Sequence, residues 1–237
     1  MEKTIKLKTG DICPDRTSVL ERMGVNKTAE LHHRLEETLD HAYRFFRQLA
    51  KPVGKLRNVS IEQFGIIYRG EGLNTDHTPV FDVVPRADFL ALFVVTLGDI
   101  VSTTINDLFD CNEPHLGFAL DAVCSQGAEA AAEKLESIFR GDAEKNRKSV
   151  PGNSSTPLFS RRFSPGYCGW HLSSQIKLLD SLRAQEIGIF LTDTYLMGPL
   201  KSVSGVMAAG PEHIFTIENP YPVCDQCRET VCHNGVR

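Results

Sequence analysis

The chain has 237 residues, 41% hydrophobic and 24% charged, which excludes intrinsic disorder and allows one large domain or two small ones. Its net charge of −4 comes from interspersed acids and bases, so no basic block marks a nucleic-acid footprint. The longest apolar run, FLALFVVTLGDIV at 89–101, contains Asp99 and falls short of the ~20 residues of a bilayer span, and MEKTIKLKTGD lacks the apolar core of a signal peptide. A cytoplasmic protein without membrane contact is expected.

Residues 26–50 read as a helix capped by Asn26, with Leu31, Leu35, Leu39, Ala42, Phe46 and Leu49 stepping by three or four, stopped by Pro52. NVSIEQFGIIYRG, 58–70, is rich in branched and aromatic residues and reads as a strand. A turn-rich connection follows. FLALFVVTLG is short and continuously apolar, which fits a strand buried on both faces. Asp99 is placed to cap the helix over IVSTTINDLFD. Pro114 opens a long helix to about Arg140, with Leu116, Leu120, Val123, Ala131, Leu135 and Ile138 on one stripe. Gly127 and the neighbouring alanines make its middle thin, which lets a neighbour or ligand approach closely.

Residues 141–157 read as a polar linker, and order resumes directly after them. RRFSPGYCGW, 161–170, is a poor helix and a poor core strand, and it concentrates a cation, a turn, a ring and the single tryptophan. Ser173 or Ser174 caps a helix carrying Ile176, Leu179 and Leu182, ended by Gly188. IGIFLTDTYLMGPLKSVSGVMAAG reads as two strands around a Met-Gly-Pro turn, and the tail from Pro220 is polar and cysteine-rich. Strands and helices mix without βαβ alternation, so the fold class is α+β. RGEG at 69–72 lacks the third glycine and following helix of a dinucleotide loop, and there is no P-loop.

Three stretches in order, GAEAAAEKLE at 127–136, RFSPGY at 162–167 and LTDTYLMGPLKSVSG at 191–205, resemble the activation domain of cobalamin-dependent methionine synthase. The resemblance covers roughly residues 58–215. It implies a curved, mainly antiparallel sheet with flanking helices, forming one domain over 1–219 that includes an N-terminal helical segment to about 52, followed by a tail over 220–237. It also implies binding of S-adenosylmethionine and support for reductive methylation of a corrinoid. The D-x-H-x-x-G pattern of base-off corrinoid carriers is absent, so the corrinoid is expected on a partner methyltransferase or corrinoid protein. A flavodoxin or ferredoxin is the expected class of electron donor.

Carried over residue by residue, the family's ligand-contacting arginine falls on Arg162 in R-x-x-P-G-Y, its tyrosine on Tyr167, and its glutamate on Glu129, the first acid of A-E-x-x-A-E. A second family tyrosine falls on Phe215, which keeps the ring and loses the hydroxyl. Ser164 stands where the methionine synthases carry alanine, and Gly166 lets the backbone turn near a ligand. The chemistry suits the ligand. A guanidinium can donate two parallel hydrogen bonds to a carboxylate. A carboxylate answers an ammonium or ribose hydroxyls, and an aromatic face can stack on adenine or attract a sulfonium.

The seven cysteines are an odd number, so complete internal pairing is impossible. Cys224, Cys227 and Cys232 in CDQCRETVC can supply three thiolates to zinc or an iron–sulfur cluster, with Cys168 preferred over His233 as fourth ligand because His233 adjoins Cys232. The alternative for the tail is reduced thiols. Cys13, Cys111 and Cys124 read as ordinary thiols. A rival reading makes the cysteine site an electron-transfer activator of a corrinoid, and another makes the chain a docking module without methyl transfer.

Overall fold

A computed structural model describes residues 2–25, 31–148, 157–216 and 221. In chain order the elements are β1 (Glu2–Lys6), a 3-10 turn (Thr9–Ile12), α1 (Arg16–Arg22), α2 (His33–Leu49), β2 (Val53–Asn58), α3 (Ile61–Arg69), α4 (Pro79–Val83) and β3 (Phe89–Thr96). There follow α5 (Asp99–Asp110), α6 (Pro114–Lys148), β4 (Phe159–Phe163), α7 (Gln175–Leu182), β5 (Phe190–Leu191), β6 (Met197–Gly198) and β7 (Ser202–Gly210). Five strands form an antiparallel sheet in the order β1-β2-β3-β7-β4, and β5 and β6 form a separate small hairpin. This is the α+β class expected from the sequence.

The sheet is covered on both faces. Ala91, Phe93 and Val95 of β3 and Met207 and Ala209 of β7 point into one core with α2, α5 and α6. Leu90, Leu92 and Val94 of β3 and Val206 and Ala208 of β7 point into a second core with α3, α4 and α7. A central strand with two apolar faces needs apolar residues at every position, which is why FLALFVVT reads as an unbroken run.

Helix α6 is the longest element, 35 residues, and runs on to Lys148, through half of what the sequence suggested was a linker. Its buried stripe is small where it meets α2: Gly127, Ala128, Ala131 and Ala132. Phe46 of α2 is fully buried there, and a Cβ at Gly127 would overlap its ring. The thin middle thus admits a helix partner, and burying that ring is worth ~1.5–3 kcal/mol.

Several boundaries differ from the sequence expectation. Residues 61–69, expected as strand, are the helix α3, because Ser60 and Gln63 close a reciprocal capping box and Phe64 and Ile67 turn to the second core. The branched residues that suggested a strand, Ile61 and Ile66, lie exposed at 42% and 61%. The strand comes just before, as β2. Asp99 is the first residue of α5, not its cap, which is Gly98. The side-chain cap before α7 is His171, whose ring accepts from the Ser173 N–H, and Arg183 in the left-handed region ends α7 ahead of Gly188. His32 caps α2, and Asn26 lies outside the described residues. Tyr221, placed in the tail by the sequence reading, is buried and donates to Asp82 of α4 at 2.7 Å.

The α2–α6 contact yields a test. Ala in place of Gly127 gains ~1 kcal/mol of helix propensity, while forcing the Phe46 ring aside costs ~1–3 kcal/mol. Gly127→Ala is expected to lower the urea midpoint slightly and Gly127→Val to lower it clearly more; a raised midpoint in both would show that the ring has room.

Candidate functional site

Strand β4 is an edge strand paired to β7, and its side chains alternate. Ser160 and Arg162 face α6. Arg161 and Phe163 face the second core, where Phe163 is buried. On α6, Glu129 and Glu136 stand seven residues apart, two turns along one stripe. Arg162 therefore meets both: its Nε donates to Glu136 Oε2 at 2.9 Å and its Nη1 to Glu129 Oε2 at 3.3 Å. Ser160 Oγ donates to the other oxygen of Glu136 at 2.8 Å. The side chains of Arg162 and Glu136 are each 18% exposed, while that of Glu129 is 47% exposed.

Glu129 also borders a cleft of about 470 Å³ between α6 and the N-terminal segment. Asp11, Asp15 and Ser18 line one wall, and Glu129, Glu133 and Lys134 the other. The N-terminal wall is tied down by Tyr43, whose hydroxyl donates to the Pro14 carbonyl at 3.2 Å, and by the Arg16–Asp40 pair at 2.8 Å. Burial pushes the Tyr43 phenol up to about 12, so it stays a donor at any physiological pH. The Ser18 hydroxyl and N–H both donate to Asp15, which holds its carboxyl below its ordinary value and keeps it ionised. Four carboxylates against one lysine make this mouth suited to a cationic ligand.

After Phe163 the chain turns sharply. Gly166 has φ +92, in the left-handed region, and its N–H donates to the Trp170 carbonyl at 2.7 Å; Tyr167 N–H donates to the Ser164 carbonyl at 3.2 Å. Trp170 is an anchor, not a presented group. It is 1% exposed and packs edge-on to Phe64 at 5.5 Å and beside Tyr68 at 5.8 Å. Tyr167, at the tip of the turn, is 53% exposed.

Of the residues singled out by sequence, Arg162 and Glu129 are brought into contact. Ser164, Gly166 and Tyr167 sit in the turn that continues from Arg162. Phe215 is not with them: it is buried in the second core under Arg161, whose guanidinium lies 5.5 Å from its ring, on the sheet face opposite Arg162. Glu136, Ser160, Asp11 and Asp15 were missed. The seven-residue spacing from Glu129 was a readable signal for Glu136; nothing local tied the N-terminal acids to α6.

Cys224, Cys227 and Cys232 lie outside the described residues. Cys168 is half-buried in the turn, and among the described residues no three His, Cys, Asp or Glu side chains gather as a metal site would require. Among the described residues, no helix is long and apolar enough to cross a membrane.

A family model described as vitamin B12 dependent methionine synthase, activation domain, matches residues 77–221. Among solved structures, the crystal structure of the MetH reactivation domain bound to AdoHcy aligns with a TM-score of 0.62 at 16% identity, covering 90% of this chain and 79% of that one. At that identity the likeness concerns the fold. A comparison with curated proteins found no match.

The described thiols divide by burial. Cys124 is fully buried and its thiol is pushed up to about 12 by desolvation, while Cys111 is exposed. Iodoacetamide at pH 8 is expected to alkylate Cys111 within minutes and Cys124 only after denaturation, read by peptide mass spectrometry; early labelling of Cys124 would contradict this packing.

Proposed function

The chain belongs to the family of vitamin B12 dependent methionine synthase activation domains, and we propose that it binds S-adenosylmethionine and supports reductive methylation of a corrinoid held by a partner protein. The observation that carries this reading is the Arg162–Glu129 pair at the edge of an acidic cleft. S-adenosylmethionine ends in a zwitterion, one carboxylate beside one ammonium, and carries a further positive charge on sulfur. Its carboxylate can replace Glu129 on the guanidinium, and Glu129 is then free to take the ammonium. The exchange conserves charge and leaves no ion unpaired, which matters because an unpaired charge in a partly dry site is costly.

Glu129 is the partner suited to exchange, being half-exposed and bonded at 3.3 Å, against 2.9 Å for Glu136. The sulfonium would sit in the field of Asp11, Asp15 and Glu133, and the half-exposed Tyr167 ring suits adenine stacking or cation–π attraction of ~0.5–2 kcal/mol. Ser164 and Gly166 contribute the backbone turn that carries Tyr167. Phe215, on the other sheet face, is left out of this contact set. The MetH reactivation domain was crystallised with AdoHcy, which shares the adenosine and amino-acid ends of S-adenosylmethionine, and this supports the same ligand class here.

The methyl group on a sulfonium is already electrophilic, and the reduced cobalt of the partner's corrinoid is the nucleophile. No residue of this chain needs to move a proton. Its part is to fix the sulfonium, aim the methyl group outward and exclude water, a positioning role that lowers the entropic barrier of a two-body step. The corrinoid-binding domain of a methionine synthase or a related methyltransferase is the partner this reading requires.

Arg162→Ala is expected to weaken S-adenosylmethionine binding by ~1.5–3 kcal/mol, the loss of a charge-assisted pair, or roughly 10- to 150-fold by calorimetry. Unchanged affinity would remove Arg162 from the site and with it this reading.

A further inference from the structure

The guanidinium of Arg162 has five N–H groups in a planar fork. Glu136 takes Nε, Glu129 takes Nη1, and the hydrogen bonds of the described residues include none from Nη2. The two carboxylates are not equivalent. Glu136 is largely buried and has both oxygens engaged, one by Arg162 and one by Ser160. Glu129 is half-exposed, with its hydrogen bond to Arg162 the longer of the two. Ser160 and Arg162 are two residues apart on one strand face, so their side chains reach the same carboxylate from the same side.

We propose that Glu136 is a positioning residue of the ligand site. Backed by Ser160, it clamps the Nε edge of Arg162, which fixes the guanidinium plane and keeps the Nη edge, bonded to the exchangeable Glu129, aimed where the ligand's carboxylate replaces it. The proposal rests on the ligand reading above and adds a residue outside the family motif carried over from the sequence. The geometry distinguishes a clamp from a plain strand-to-helix tie. One carboxylate would suffice to tie β4 to α6, whereas with two around one guanidinium Glu129 can give way to a ligand carboxylate while Glu136 still holds the arginine in place. Without Glu136 the arginine has only Glu129 left to pair with, and the ligand's carboxylate must compete with that pair.

The test compares two nucleosides by calorimetry on the full chain: S-adenosylhomocysteine, which has the carboxylate and ammonium, and 5′-methylthioadenosine, which lacks both. Glu136→Ala is expected to weaken S-adenosylhomocysteine at least tenfold and to change methylthioadenosine less than twofold. Glu136→Gln, whose carbonyl still accepts from Nε and whose amide still meets Ser160, is expected to restore S-adenosylhomocysteine affinity to within threefold of wild type. Equal losses for both nucleosides, or no loss for either, would overturn the clamp. Should Glu136→Ala fail to fold, Ser160→Ala serves instead, with a three- to tenfold loss expected for S-adenosylhomocysteine alone and an unchanged pair of affinities overturning the proposal. A wild-type chain that binds neither nucleoside would overturn the ligand reading itself, an outcome separate from a clamp that fails in a chain that binds both.

Discussion

The contact of α6 with the sheet and with α2 is the constraint from which the site follows. A 35-residue helix can lie flat across a sheet and still admit a second helix only where its side chains are small. Gly127, Ala128, Ala131 and Ala132 provide that thin region, and Phe46 fills it. Once the helix is seated this way, its rotation is fixed. The stripe carrying Glu129 and Glu136 must then face the edge strand β4, and the flank carrying Glu133 must face the N-terminal segment.

The opposite sheet face supplies the second fixed point. Phe64, Tyr68 and Trp170 form an aromatic cluster that belongs to the core under α3, α4 and α7. Trp170 ends the turn that begins at Ser164, so burying its ring holds the turn closed from the far side. Arg162 lies at the end of β4 just before this turn, between two buried anchors: the α6 packing on one face and the tryptophan on the other. The backbone that carries Arg162 is thereby fixed from both sheet faces, while its side chain is held on the α6 face by Glu136 and Glu129.

Electrostatics completes the arrangement. The site has more carboxylates than cations, although the chain as a whole departs from neutrality by only −4. The excess is local, drawn from elements far apart in sequence: Asp11 and Asp15 from the N-terminal segment, Glu129, Glu133 and Glu136 from α6. Three of the acids are held by hydrogen bonds from the fold, Asp15 by the start of α1, Glu136 by β4 and Glu129 by Arg162. Those three are already oriented by the fold, so a cationic ligand of the kind proposed above would not have to order them on binding.

Much of this was legible from residue patterns. The unbroken apolar run of β3, the stripe of α6, the mixed element order and the motif around Arg162 and Tyr167 all express local periodicity or local turn chemistry, which a linear reading captures. Residues 61–69 carry two opposed local signals, branched side chains that favour a strand and the Ser60–Gln63 capping box that starts a helix, and the capping box with the burial of Phe64 and Ile67 prevails. The side of the sheet on which Phe215 packs was not legible, since it depends on how the turn after β7 folds back onto the second core rather than on distance from a motif. By itself, the sequence determined which chemical groups this protein has available and which segments become helix or central strand. The tertiary structure alone decided that Arg162 and Ser160 share Glu136, that the N-terminal acids border Glu129, and that Trp170 is an anchor. Those facts require long-range packing, in which the rotation of one helix and the pairing of one edge strand bring together side chains that no spacing along the chain relates.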